Sequence, residues 1–193
     1  DVCSSDLNIN ILKAISRVYQ FSFQVKKRKE IIEKILNFNP SSSKDWCSYI
    51  YIQNFNYSWD QEKFFKQSRK MSNIIPNFNL DKLSLDKNIK ENKIKIGFIS
   101  SDLVDRHSVS YLLKSLLKNI NKSKFETFAF SNQDISDEND NEIKNYFDYW
   151  YNIKTLDDLQ AIRFIREKQI DIAFDLMGVT SQNRIALFKN RIS

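Results

Sequence analysis

Histidine occurs once in these 193 residues, at His107, and cysteine, glycine and proline occur twice each. A single imidazole cannot build a histidine cluster. Cys3 and Cys47 stand too far apart in sequence for a ligand pair or a disulfide framework, so no metal site is expected and the compartment reads as reducing and cytoplasmic. No apolar run reaches the roughly 18 residues of a membrane span. The opening DVCSSDL lacks the basic and apolar regions of a signal peptide, and it also lacks an initiator methionine. It resembles a translated adapter scar, is set aside from fold reasoning, and leads us to expect a fragment at the N-terminus. The two glycines, Gly97 and Gly178, and the two prolines, Pro40 and Pro76, sit in a background rich in Lys, Asn and Ile that reflects base composition more than function.

What is present is enough apolar material for a core: 41% of residues are hydrophobic and 13% aromatic. Charge is uneven, with 17 Lys/Arg against 10 Asp/Glu in residues 1–95 and 13 against 14 in residues 96–193. A basic half could meet nucleic acid, anionic lipid or an acidic partner. The densest run, Lys26 to Lys29, precedes a helical pattern and no aromatic-interleaved RNA motif accompanies it. It reads as a solvated helix face, with neither nucleic acid nor membrane as partner.

Two helical patterns cover Asn8 to Asn37, one on Ile11, Leu12, Ile15, Val18 and Tyr19, the next on Ile31, Ile32, Ile35 and Leu36, ended by Asn39-Pro40. After a serine-rich connector, Trp46 to Phe55 reads as a third helix. Ser58 with Gln61 has capping-box spacing ahead of a fourth, which carries Phe64, Phe65 and Met71. Residues 8–76 are thus a helical lead-in, and the polar stretch 77–92 is a linker.

Beyond it the period changes. Ile94, Ile96, Phe98 and Ile99 read as a buried strand. Val109, Leu112, Leu113, Leu116, Leu117 and Ile120 form one helical stripe, with Ser108 as its cap. Phe125 to Phe130 reads as a second strand and Tyr149 to Ile153 as a third. Thr155 with Asp158 starts a helix carrying Leu159, Ile162 and Ile165. Ile170 to Leu176 alternates as a fourth strand, and Ser181 onward reads as helix. The acidic stretch Asp134 to Glu142 lacks calcium-loop spacing and reads as a solvated loop. Strand–helix alternation over residues 93–193 predicts an α/β, parallel, Rossmann-like lobe that is incomplete.

In such a sheet the two marked strand ends, SSDLVDRHS and DLMGVT, open on one edge, so that His107, Asp175, Gly178 and Thr180 can line one cleft. An imidazole there can orient or deprotonate a hydroxyl, or donate to a phosphate oxygen. From spacing alone the rival readings stay open: His107 as a solvated or capping residue, Asp175 as a turn former, and Gly178 as a tight-turn residue.

IGFISSDLVDRHSVSYLL resembles the first strand–turn–helix of the catalytic region of glycosyltransferase family 41, the protein O-linked N-acetylglucosamine transferases and Spindly-like enzymes. Ser100, Ser101, Asp102, Leu103, His107 and Val109 fit its pattern. DLMGVTSQNRIALFKNRIS is similar to a second motif of that family through Asp175, Leu176, Gly178, Thr180, Arg184, Phe188 and Arg191, with Val179 where the family has histidine or tyrosine. YIQNFNYSWDQEKFF resembles the helical lead-in, so the likeness covers about residues 45–193.

The resemblance implies a two-lobed, inverting glycosyltransferase with tetratricopeptide-like helices that present protein acceptors. It would move N-acetylglucosamine or another sugar from a nucleotide donor, UDP-N-acetylglucosamine, to Ser/Thr hydroxyls, with no other cofactor. His107 would be the catalytic residue, beside the diphosphate and the acceptor hydroxyl, and Ser108, Asp175, Gly178 and Thr180 would contact substrate or donor. The second lobe lies outside the chain, so the isolated 193 residues are expected to be inactive. Two other readings remain. One is a non-catalytic helical plus α/β protein-binding module. The other is a receiver-like domain using Asp102, for which no later lysine follows a further strand.

Overall fold

The computed structural model describes residues 2–55, 60–78, 80, 93–134 and 141–193, with side chains from residue 8 onward. By its internal contacts the chain divides into Asp1–Pro76 with Val179–Ser181, and Asn77–Gly178 with Gln182–Ser193.

The first unit is helical: α1 (Val2–Phe21), α2 (Val25–Phe38), α3 (Ser43–Gln53) and α4 (Gln61–Ile74), each packed on the next. Helix α1 already begins at Val2, inside the opening set aside above. Asn39 ends α2 by donating its N–H to the Ile35 carbonyl at 2.9 Å, and Pro40 cannot continue the ladder. The Ser42 hydroxyl caps α3 by accepting from the Asp45 N–H. The cap of α4 is Asp60, which accepts from the Lys63 N–H at 3.0 Å, whereas the expected capping residue Ser58 lies outside the described residues. Ile32, Ile35 and Leu36 of α2, Cys47, Ile50 and Ile52 of α3 and Met71 of α4 are buried, and Cys47 Sγ lies 3.8 Å from Met71 Sδ. Tyr49 is buried with them. Its hydroxyl donates to Glu33 and accepts from Gln67, and burial followed by the Glu33 carboxylate pushes its pKa up to about 12.

The second unit is α/β. Strands β1 (Ile94–Ser100), β2 (Phe125–Ser131), β3 (Tyr149–Asn152) and β4 (Ile172–Asp175) form one parallel sheet in the order β3-β2-β1-β4. Alternation along the strands sends side chains to two covered faces. Ile96, Phe98 and Ala129 pack with Leu113 and Leu117 of α5 (Ser108–Asn119) and with Ile143 of a 3-10 helix (Glu142–Tyr146). On the other face Ile99, Phe128 and Phe130 pack with Ala161, Ile162 and Ile165 of α6 (Asp158–Glu167) and Leu187 of α7 (Ile185–Lys189). The expected linker, residues 77–92, contributes Phe78 and Leu80 to this second core; residue 79 and residues 81–92 lie outside the described residues.

Several local expectations change. The cap of α5 is His107 and not Ser108, which is the first helical residue, and α6 is capped by Asp157 in a reciprocal box with Gln160 and not by Thr155. Only the centre line of the α5 stripe is buried. Leu113 and Leu117 face the sheet, while Leu112 and Leu116 remain 72% and 52% exposed, because a helix lying on one sheet face covers a narrow arc. Strand β4 is shorter than the alternation suggested, and as an edge strand it leaves Ile172 and Phe174 nearly half exposed. Residues 181–182 are turn and 183–184 irregular, so α7 is only five residues long. Of the acidic stretch, Asn141 and Glu142 lead into the 3-10 helix and residues 135–140 lie outside the described residues.

Gly97 lies where the sheet leaves little room for a side chain. A Cβ built there would stand 3.1 Å from Ile170 Cγ2 and 3.1 Å from Phe130 Cε2, both on fully buried side chains. Gly97→Ala should therefore destabilise the α/β unit by about 1–3 kcal/mol through overpacking, measured as a lowered denaturation midpoint with unchanged slope.

Candidate functional site

Strand β1 pairs with β4 in a register that sets Ile99 opposite Asp175, so the segments leaving both strands start side by side at the carboxyl edge of the sheet. Ser100, fully buried, accepts the Asp102 N–H on its hydroxyl at 2.9 Å and the Asn132 N–H on its carbonyl at 2.8 Å. The Ser101 N–H points to Met177 Sδ at 3.1 Å, which ties the two segments directly. Ser110 reaches back from α5 to the Asp102 carbonyl at 2.9 Å.

The turn is then pinned from outside. Leu103 is fully buried, and its carbonyl accepts from the Asn141 side-chain amide. The Asp105 carboxylate accepts the backbone N–H groups of Glu142 and Ile143, the free donors at the start of the 3-10 helix, and pairs with Lys114 at 2.8 Å. Lys114 also pairs with Glu142 at 2.9 Å. Burial pushes the Asp105 carboxyl up, but the Lys114 ammonium and the two N–H donors outweigh it and hold it below the usual carboxylate range. Spacing in the sequence singles out neither Asp105 nor Lys114: apart from their pairing with each other, their partners lie 28–38 residues away.

His107 follows with extended backbone, φ −94° and ψ 142°, and its Nδ1 accepts the Val109 N–H at 3.3 Å. The ring is half-buried. A nitrogen that accepts this bond carries no proton, so in the neutral ring the proton sits on Nε2. Ser108, beside it, is exposed.

On the β4 side, Asp175 Oδ1 accepts the N–H groups of Met177 at 2.9 Å and Gly178 at 3.0 Å, the turn-forming role weighed above. Gly178 has φ +58°, and a Cβ there would meet nothing within 4 Å, so glycine serves the left-handed backbone and not close packing. Thr180 is exposed and belongs to the short segment that groups with the helical unit. The sheet thus brings the His107 turn next to the Asp175–Gly178 turn, and Thr180 is described apart from them.

Arg184, matched above only as part of a motif, is a buried node at 11% side-chain exposure. Its guanidinium donates to Asp158 Oδ1 at 2.8 Å, Asn132 Oδ1 at 3.1 Å, and the carbonyls of Ile153 and Leu156 at 3.2 and 3.1 Å. It therefore fixes the ends of β2 and β3 and the start of α6 at the carboxyl edge of the sheet. Among the described residues no group of three or more His, Cys, Asp or Glu could hold a metal ion, and no helix is long and apolar enough to cross a membrane.

No protein-family model matches the chain. It is 22% identical over 155 residues to a probable UDP-N-acetylglucosamine–peptide N-acetylglucosaminyltransferase SPINDLY of Solanum lycopersicum. That match takes in 78% of this chain but 16% of the tomato protein. Its fold matches a solved O-GlcNAc transferase variant from Thermobaculum terrenum with a TM-score of 0.80 at 17% identity, over 96% of this chain and 36% of that one. The resemblance to glycosyltransferase family 41 is borne out by this curated relative and by this fold, and the chain spans well under half of either protein.

Two measurements test the site's construction. His107→Ala should cost about 1 kcal/mol by removing the α5 cap, whereas His107→Asn, which can cap, should stay within roughly 0.5 kcal/mol of the parent in urea denaturation. Asp105 has a folded pKa below its unfolded value of about 3.9, so its stabilisation is present above that value and is lost as pH falls through the folded one. Asp105→Asn should be about 1 kcal/mol less stable near pH 7, and the gap should close below about pH 4 in a pH series of melts.

Proposed function

We propose that this chain is part of a family 41-like, inverting glycosyltransferase that moves N-acetylglucosamine from UDP-N-acetylglucosamine to Ser/Thr hydroxyls of proteins. The observation that carries the reading is His107 at the carboxyl edge of the parallel sheet, with Nδ1 engaged by the Val109 N–H and Nε2 left as the group to meet substrate. Ligands of open α/β sheets bind at that edge. The likeness to the tomato SPINDLY protein and to the Thermobaculum terrenum O-GlcNAc transferase supports the same reaction class.

In this reading His107 donates Nε2–H to an oxygen, either of the donor diphosphate or of the attacking hydroxyl. Accepting a proton at Nε2 would first require the ring to shift its own proton to Nδ1, which breaks the cap. Positioning and electrostatic stabilisation therefore fit the geometry better than general-base catalysis. Asp175 shapes the second turn through Oδ1, so that the backbone at Gly178 and the Thr180 hydroxyl serve the donor, and Ser108 lies beside the histidine at the start of α5. The helical lead-in, residues 8–76, presents the protein acceptor, and residues 93–193 form the first catalytic lobe. A buried Cys47, its Sγ 3.8 Å from Met71 Sδ, suits a reducing, cytoplasmic setting.

The test uses the longer chain that carries the second lobe. There His107→Asn should keep the melting temperature and lower kcat for transfer to a protein acceptor about 100-fold, the usual loss when one preorganised donor is removed. Unchanged transfer would overturn the assignment and leave the non-catalytic protein-binding module as the better reading.

A further inference from the structure

The turn between α1 and α2 holds a bulky residue in left-handed backbone, Phe23 at φ +54°. Such a conformation costs a large L-residue about 1–2 kcal/mol. Packing within the unit does not offset that cost, because the Phe23 side chain is 88% exposed. With Val25, Lys26, Lys27, Asn54 and Phe55 it lines a cavity of about 750 Å³ that lies wholly within the helical unit. Phe55, at the end of α3, is 52% exposed. The cavity therefore shows apolar surface on two of its sides.

Its remaining side is cationic. Lys26 and Lys27 open the run Lys26–Lys29, and the ion pairs described in the helical unit, Lys13 with Asp45 and Lys66 with Glu62, do not involve them. Residues 1–76 hold 12 Lys/Arg against 7 Asp/Glu, so the unit as a whole is positive. Gln24 gives α2 no side-chain cap and donates instead to the Ser22 hydroxyl, which leaves the positive end of the helix unscreened beside the lysines. Arg28, next in the run, has a buried Nε without a partner.

We infer that this cleft docks a short acidic peptide segment, with one apolar side chain between Phe23 and Phe55 and flanking carboxylates on Lys26 and Lys27. Charge complementarity selects the occupant. An open recess between two exposed aromatic rings takes an apolar side chain, while the lysines and the start of α2 take carboxylates. A nucleic-acid strand would need cations spaced along a groove, and here they cluster at one helix start. The inference rests on the helical unit alone, so it stands or falls independently of the transferase reading.

The test measures fluorescence anisotropy of a labelled pentapeptide, a tryptophan flanked on both sides by aspartate and glutamate, against the 193-residue chain. Saturable binding should weaken about tenfold in Phe23→Gly and again in the Lys26→Glu/Lys27→Glu double variant. Phe23→Gly should at the same time raise the melting temperature, because glycine adopts the left-handed turn without strain. Absence of binding, equal binding of the peptide with its carboxylates replaced by amides, or a Phe23→Gly variant that binds normally or melts lower would each overturn the proposal. It would also be overturned by sedimentation showing self-association that Phe23→Gly abolishes, which makes a second copy the occupant, or by a single-stranded oligonucleotide that binds more tightly than the peptide.

Discussion

The α/β unit depends on β1 being paired along both of its sides. Its ladder to β2 fixes seven residue pairs, Ile94 with Phe125 through Ser100 with Ser131, and its ladder to β4 sets Ile96 opposite Ile172 through Ile99 opposite Asp175. A slip of one residue would exchange the two faces of β1, placing Phe98 where Gly97 must lie against Ile170 and Phe130. The absence of a side chain at Gly97 therefore acts as a register lock. It follows that the turns after β1 and β4 leave the sheet together, which is the precondition for any site built from both.

Two cationic side chains then hold that edge in shape, and they do so differently. Arg184 is nearly buried and directs its donors to one carboxylate and three neutral oxygens, so it joins segments drawn from residues 132 to 184 at a single point. Desolvating a guanidinium offsets much of the Coulomb gain, and its main effect is to specify geometry. Lys114 is more exposed and shares its charge between Asp105 and Glu142, which fastens the His107 turn to the 3-10 helix. Surface pairs of this kind contribute modestly, but the two backbone N–H bonds to Asp105 make the contact directional.

The strand–helix alternation was legible because the central strands β1 and β2 are buried on both faces and each helix shows one apolar line, and the shared edge followed from parallel topology alone. Caps were less legible. Around residues 107–108, 155–157 and 58–60 several residues could accept a backbone N–H, and the helix took His107, Asp157 and Asp60 according to where the preceding chain turned. The α5 stripe and the β4 alternation overstated burial, since periodicity reports which side is apolar but not how much of it a neighbour covers. Asp105, Lys114 and the full reach of Arg184 had no local signal, because all their bonds other than the Asp105–Lys114 pair span 26–52 residues.

His107 is where the fold and the chemistry make demands on the same ring. As a cap it must keep a lone pair on Nδ1 facing the Val109 N–H, and that bond fixes both the ring's tautomer and its orientation. A histidine restrained in this way is a poor proton shuttle, because taking up a second proton at Nδ1 would cost the helix its first hydrogen bond. It is well suited to donate from Nε2, since the donor is held in place before any oxygen arrives and needs no reorganisation when charge develops. Serine or aspartate would cap α5 equally well, but the serine O–H would donate only close to the backbone and an ionised aspartate has no donor at all. Under the proposed function the structural and functional readings of the single histidine are therefore not rivals: the capping bond would preorganise the donor.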